Sequence, residues 1–201
     1  MRVASAALLA LGTLAAGQPD RPGHGASDAE IERVLAVARG DAAARAAFHR
    51  AYGLEIEHPV VERIEIVTER RRLALIAEAR LAAGDWAFAR GLWRAREALR
   101  PWRRKVAIVG RLRFPPQNAY VLAPPLDLDL IGRAGRLPRL ALEGATVFGL
   151  GTGAPNERLP VAGATVEALF DADVADTARE VVLRADGVEL VRLALDVSRQ
   201  P

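Results

Sequence analysis

The sequence predicts an α+β fold: an N-terminal helical region followed by a C-terminal antiparallel β-sandwich of immunoglobulin-like type, the whole preceded by a cleaved signal peptide. Three observations predict it. The chain opens on an apolar leader, apolar residues then recur at helical spacing up to Leu99, and past Arg104 the pattern changes to short alternating runs parted by Pro-, Gly- and Asn-rich turns.

The leader comes first. Arg2 is a minimal positive start, Val3 to Ala16 is a run of apolar and small residues, and Ala15, Ala16 and Gly17 are small enough for a signal peptidase. The run is shorter than the roughly 20 residues of a membrane-spanning helix, so residues 1–17 read as a signal peptide rather than an anchor. Export to the periplasm or the cell exterior is therefore expected. Residues 18–26 form a Pro/Gly linker. Cys is absent from all 201 residues, which removes disulfides and thiolate metal sites from consideration.

Residues 27–104 read as mainly helical. Ser27 and Glu30 make a capping box ahead of Ile31, Val34, Leu35 and Ala38. A helix is expected from Asp28 to Tyr52, with a break near Gly40 and Asp41, its second half presenting Ala44, Ala47, Phe48 and Tyr52. The stretch 60–67 fits either a strand or a helical stripe, with a short strand favoured. Thr68 then caps a helix from Glu69 to Ala83 built on Leu73, Ile76, Ala77 and Leu81, and Asp85 starts another from Trp86 to Arg100, stopped by Pro101. Gly84, Asp85, Trp86, Ala89 and Pro101 are similar in spacing to one helical pair of a tetratricopeptide repeat. Arg96 departs from that pattern and no second copy follows at a period of about 34 residues, so the resemblance implies a helical hairpin and no function.

Residues 105–201 read as the sandwich. Strands are expected at 105–114, 120–131, 139–150, 164–170, 180–185 and 189–197. The last two flank Asp186 and Gly187, which suit a tight primed turn because both tolerate positive φ.

Charge is distributed unevenly. The formal net charge is +3, with Lys105 the only lysine; this arginine bias does not by itself indicate nucleic acid. Between Trp86 and Lys105, however, Arg90, Arg94, Arg96, Arg100, Arg103, Arg104 and Lys105 face a single acid, Glu97, whereas the acids dominate after Gly163.

The inventory for catalysis is thin. Beyond the leader the only serines are Ser27 and Ser198, which argues against a serine hydrolase. His49 and His58 with Glu55 and Glu57 match no compact zinc spacing, and His24 sits in the linker. Asp171, Asp173 and Asp176, with Asp127 and Asp129 on another strand, are weak calcium candidates that lack the glycine and glutamate of an EF-hand loop. Gly149, Gly151 and Gly153 follow a strand, but Pro155 and Pro160 exclude the helix a phosphate loop needs, so no nucleotide cofactor is expected. A glycosidase using two of Glu55, Glu57, Asp127 and Asp129 would place them about 5 or 9 Å apart across a cleft.

The helix from Trp86 has two faces on a 100° wheel. Phe88, Leu92, Ala95 and Leu99 form a core stripe; Trp86, Arg90, Trp93, Glu97 and Arg100 lie nearly opposite. If exposed, that second face would stack on a ligand or settle on anionic headgroups, with Trp86, Arg90, Trp93 and Arg100 as its binding residues. The sequence thus points to a non-enzymatic accessory protein that binds an envelope protein or an anionic surface, with peripheral membrane contact as the alternative and no metal or cofactor.

Overall fold

The computed structural model describes residues 25–54, 56–150 and 159–195. The leader, residues 18–24 of the linker, Glu55, the loop holding Gly151 and Gly153, and residues 196–201 lie outside the described residues.

Two antiparallel sheets and five α-helices make up the fold. Helices α1 (Asp28–Arg39) and α2 (Ala42–Arg50) are followed by strands β1 (Gly53–Leu54) and β2 (Val61–Val67), then α3 (Glu69–Ala82) and α4 (Leu92–Leu99). Strands β3 (Lys105–Arg113), β4 (Leu126–Gly132), β5 (Gly135–Arg136), β6 (Ala141–Phe148) and β7 (Val161–Asp171) lead to a one-turn helix, α5 (Ala172–Ala175), and the closing hairpin β8 (Glu180–Ala185) and β9 (Val188–Ala194). The first sheet has the order β1-β2-β3-β7-β6, the second β5-β4-β8-β9.

Alternation explains how the sheets meet. Ile64 and Ile66 of β2, Val106 and Ile108 of β3 and Val166, Ala168 and Phe170 of β7 share one buried cluster with Leu128 and Leu130 of β4 and Val181 and Leu183 of β8. At every second position these residues point from one sheet toward the other. Gly110 lies at the centre of that layer, where a Cβ would stand 3.1 Å from Val166 Cγ1. The helices have a separate core, in which Ile31, Val34 and Leu35 of α1 meet Leu73, Ala74 and Ala77 of α3 and Phe88, Ala95 and Leu99 around α4.

Stretch 60–67 is therefore a strand. It pairs with β3 from Val61 opposite Leu112 to Val67 opposite Ala107, so the first sheet begins before the change of period at Arg104. The helix expected from Asp28 to Tyr52 does break where Gly40 and Asp41 stand, Asp41 capping α2 through Ala44 N. Ala44 and Ala47 stay exposed, and only Phe48 and Tyr52 turn inward. The strand expected from 120 starts later, at Leu126, because Pro124 and Pro125 cannot donate to a ladder. Asp186 and Gly187 have φ of 48° and 76°, the double positive φ that a two-residue primed hairpin requires.

The capping box predicts an acid response. Glu30 accepts from the Ser27 amide and hydroxyl and is ion-paired with Arg70 of α3. Burial pushes its carboxyl up, but these donors outweigh burial and hold it at about 2, against 4.5 ordinarily. A depressed carboxylate stabilises the fold above its unfolded value and loses that contribution as pH falls through its folded value. Between about pH 4.5 and 2 the wild type should lose up to about 3 kcal/mol more than Glu30→Gln, read from urea midpoints at each pH.

Candidate functional site

The segment after α3 is built to turn, not to continue. Gly84 has φ +84°, a conformation that favours glycine, and Asp85 Oδ1 accepts from Phe88 N at 3.2 Å. A 3-10 turn over Phe88–Arg90 follows, and Gly91 then leaves helical geometry with φ −106° and ψ 96° before α4 starts at Leu92. The single helix expected from Trp86 to Arg100 is thus corrected to a turn plus a two-turn helix. Glycine's large backbone entropy makes Gly91 the place where the helix gives way.

The buried stripe survives the break, and the residues expected opposite it stay exposed. Phe88, Ala95 and Leu99 are buried, with Leu92 packed against them. Trp86 is 61% exposed and Trp93 70%, and Arg90, Glu97 and Arg100 are exposed with them. Asp85 also accepts from Arg94 Nη1 at 3.4 Å, which ties the turn carrying Trp86 to the helix carrying Trp93. Arg100 lies 3.8 Å from Glu97, while Arg90 and Arg103 have no ion pair among the described residues. The third tryptophan behaves differently: Trp102 is half-buried under the Arg72 guanidinium, 4.0 Å from the ring centre. Two large aromatic surfaces among arginines, none of them shared with the core, form a surface suited to stacking or to an anionic interface.

The other candidate residues are engaged elsewhere. Asp171 caps α5 by accepting from Asp173 N, Asp173 pairs with Arg104, and Asp176 has its carboxyl raised by burial and by Asp173. His49 Nε2 meets Glu78 Oε1 at 3.0 Å, whereas His58 Nδ1 accepts from Val60 N and Val61 N in its own turn. Glu57 is exposed. Among the described residues no three His, Asp or Glu side chains stand close enough to hold a metal ion.

Asp127 and Asp129 do come together, but not across a cleft. They share the outer face of β4, where Arg139 and Arg136 reach both, and Arg184 Nη1 donates to Asp129 Oδ2 at 2.6 Å. Asp129 is buried. Burial raises the Asp127 carboxyl, yet Arg139, Arg136 and Arg184 together bring it below the usual range. Two anions held by three guanidiniums make an electrostatic clasp; a general acid needs the opposite bias.

Two features escaped the sequence reading. Glu65 of β2 is buried and ion-paired with the buried Arg71 of α3, whose Nη1 also donates to the carbonyls of Ile66 and Tyr52. Apolar side chains also gather at the end of β6: Val147, Phe148 and Leu150 are exposed, as are Tyr120, Val121 and Leu122 in the loop between β3 and β4. Tyr120 packs on Phe114, and Ala123 N donates to Thr146 Oγ1, holding that loop against β6. The neighbouring open groove, of about 490 Å³, is lined by Arg111, Arg113, Val147, Pro160 and Thr165, and its one carboxylate, Glu62, is bound to Arg113. A nearly uncharged β6 sequence was the available signal.

Compared with protein-family models, with curated proteins and with solved structures, the chain gives no significant match.

Proposed function

We propose that this chain is an exported, non-enzymatic accessory protein of the cell envelope, released by removal of residues 1–17, whose two facing sheets form an immunoglobulin-like sandwich and whose work is binding. The observation that carries the reading is the exposure of Trp86 and Trp93. Each tryptophan brings 150–250 Å² of largely apolar surface, and at about 25 cal/mol per Å² covering most of it is worth several kcal/mol. A surface that leaves this in water gains by meeting a partner.

The basic surroundings favour an anionic surface. Arg90, Arg94, Arg100 and Arg103 are exposed in the same segment as the two rings, Trp86 to Lys105, in which Glu97 is the only acid. Arginine supplies attraction and directional donors, and tryptophan prefers the boundary between water and the headgroups. The partner is accordingly an anionic face of another envelope component, with anionic headgroups as the alternative.

Single-tryptophan variants separate these. With Trp102 and one of the other two replaced by Phe, Trp86 or Trp93 becomes the sole fluorophore, and its emission is expected to be red-shifted and open to quencher in buffer. Blue-shifted, quencher-protected emission with anionic phosphatidylglycerol vesicles, and not with neutral ones, establishes lipid contact. Emission indifferent to both sinks lipid contact. Protected emission without vesicles removes the Trp/Arg surface altogether.

A further inference from the structure

The outermost strands of the two sheets are β1, β6, β5 and β9. β1 and β5 have two residues each, too few to template another strand. β9 is guarded by charge, with Arg192 bonded to Glu189 and to Glu180. β6 has neither protection. It runs eight residues, contains no Lys or Pro, has Glu143 as its one charge, and exposes all but Leu142 and Thr146. Its neighbour is β7, and on its other side no strand stands among the described residues.

Backbone directions follow from the ladders. Phe114 N donates to Ala162 O in continuation of the β3–β7 pairing, so the even-numbered residues of β7 bond to β3 and the odd-numbered ones to β6. Glu143 opposite Glu167, Ala145 opposite Thr165 and Val147 opposite Gly163 are then among the bonded pairs of β6. Leu142, Gly144, Thr146 and Phe148 turn their N–H and C=O groups outward.

We propose that β6 pairs antiparallel with β6 of a second copy of this chain, about a twofold axis through Ala145, joining the two five-stranded sheets edge to edge. Outward-facing residues must pair with outward-facing residues, and this register does so. It sets Leu142 opposite the partner's Phe148 and Gly144 opposite the partner's Thr146, matching large with large and small with small. It also sets Glu143 opposite the partner's Val147. The two Glu143 carboxylates then stand four positions apart along the ladder, about 13 Å, beyond the screening length at physiological salt. The exposed Val147 and Phe148 are covered in the same step. Self-complementarity of this kind belongs to an isologous interface.

The axis allows a direct test in the purified full chain. Ala145 would face itself as a non-hydrogen-bonded pair, with Cα atoms about 4.5 Å apart, inside the span a disulfide accepts. The chain has no cysteine, so Ala145→Cys introduces a single thiol at an exposed position. Wild type should scatter light as a dimer, Ala145→Cys should be trapped as a covalent dimer on mild oxidation, and Ala145→Lys should be a folded monomer. Ala36→Cys, on the exposed side of α1, supplies the background rate of cross-linking. A wild type that is monomeric at every concentration up to its solubility limit overturns the proposal. So does a dimer that survives Ala145→Lys, or an Ala145→Cys chain that cross-links no faster than Ala36→Cys.

Discussion

Glu65→Gln is expected to destabilise the protein by about 3–5 kcal/mol, seen as a lower urea midpoint with an unchanged slope. The reason is what remains. Arg71 is 3% exposed, and burial already pushes its guanidinium below the usual range, against the opposing effect of Glu65. Glutamine keeps the shape and removes the charge that makes a buried cation tolerable. Arg63 and Arg111 also lie against Glu65, so three cations lose their common partner. Replacing both Glu65 and Arg71 with Leu and Met should recover much of the loss, because an apolar pair has no charge to desolvate. A Glu65→Gln cost below about 1 kcal/mol would mean that water reaches the pair.

The clasp on the second sheet gives the next largest effect. Asp129→Asn should cost about 3 kcal/mol, because the Arg136, Arg139 and Arg184 guanidiniums converge on a carboxylate whose side chain is only 2% exposed. Asp127→Asn, two residues away and open to solvent for a third of its surface, should cost less than about 1 kcal/mol. Comparable losses for the two variants would show that the clasp acts as one exposed network and not through the buried anion.

The elements that were legible in the sequence are those in which local signals agreed. Ser27 and Glu30, Thr68, and the Asp186–Gly187 turn each combine a backbone requirement with the side chain that satisfies it, and each stands where expected. Stretch 60–67 was ambiguous because its C-terminal half is buried on both sides: Ile64 and Ile66 face the second sheet while Glu65 meets α3. Burial on both faces erases the alternation that marks a strand. The helix over Trp86–Arg100 was overextended because Phe88 and Leu92 keep helical spacing in sequence even though Gly91 interrupts the backbone between them. Trp86 and Trp93 could be named as a face but not assigned an exposure, since a second apolar stripe serves a buried helix equally well. The Asp129 clasp was out of reach, for its arginines come from two stretches well separated along the chain, Arg136 with Arg139 and Arg184.

Arg70, Arg71 and Arg72 look in sequence like a solvated basic run. At 100° per residue they fan out from the start of α3, and each finds a different acid: Glu30 on α1, Glu65 on β2 and Glu167 on β7. Inserting or deleting one residue in that first turn would swing all three guanidiniums away from their carboxylates together. The run works as a key with three teeth, so length variation among descendants of this chain should be confined to connections outside it, and the triplet should drift as a unit or not at all.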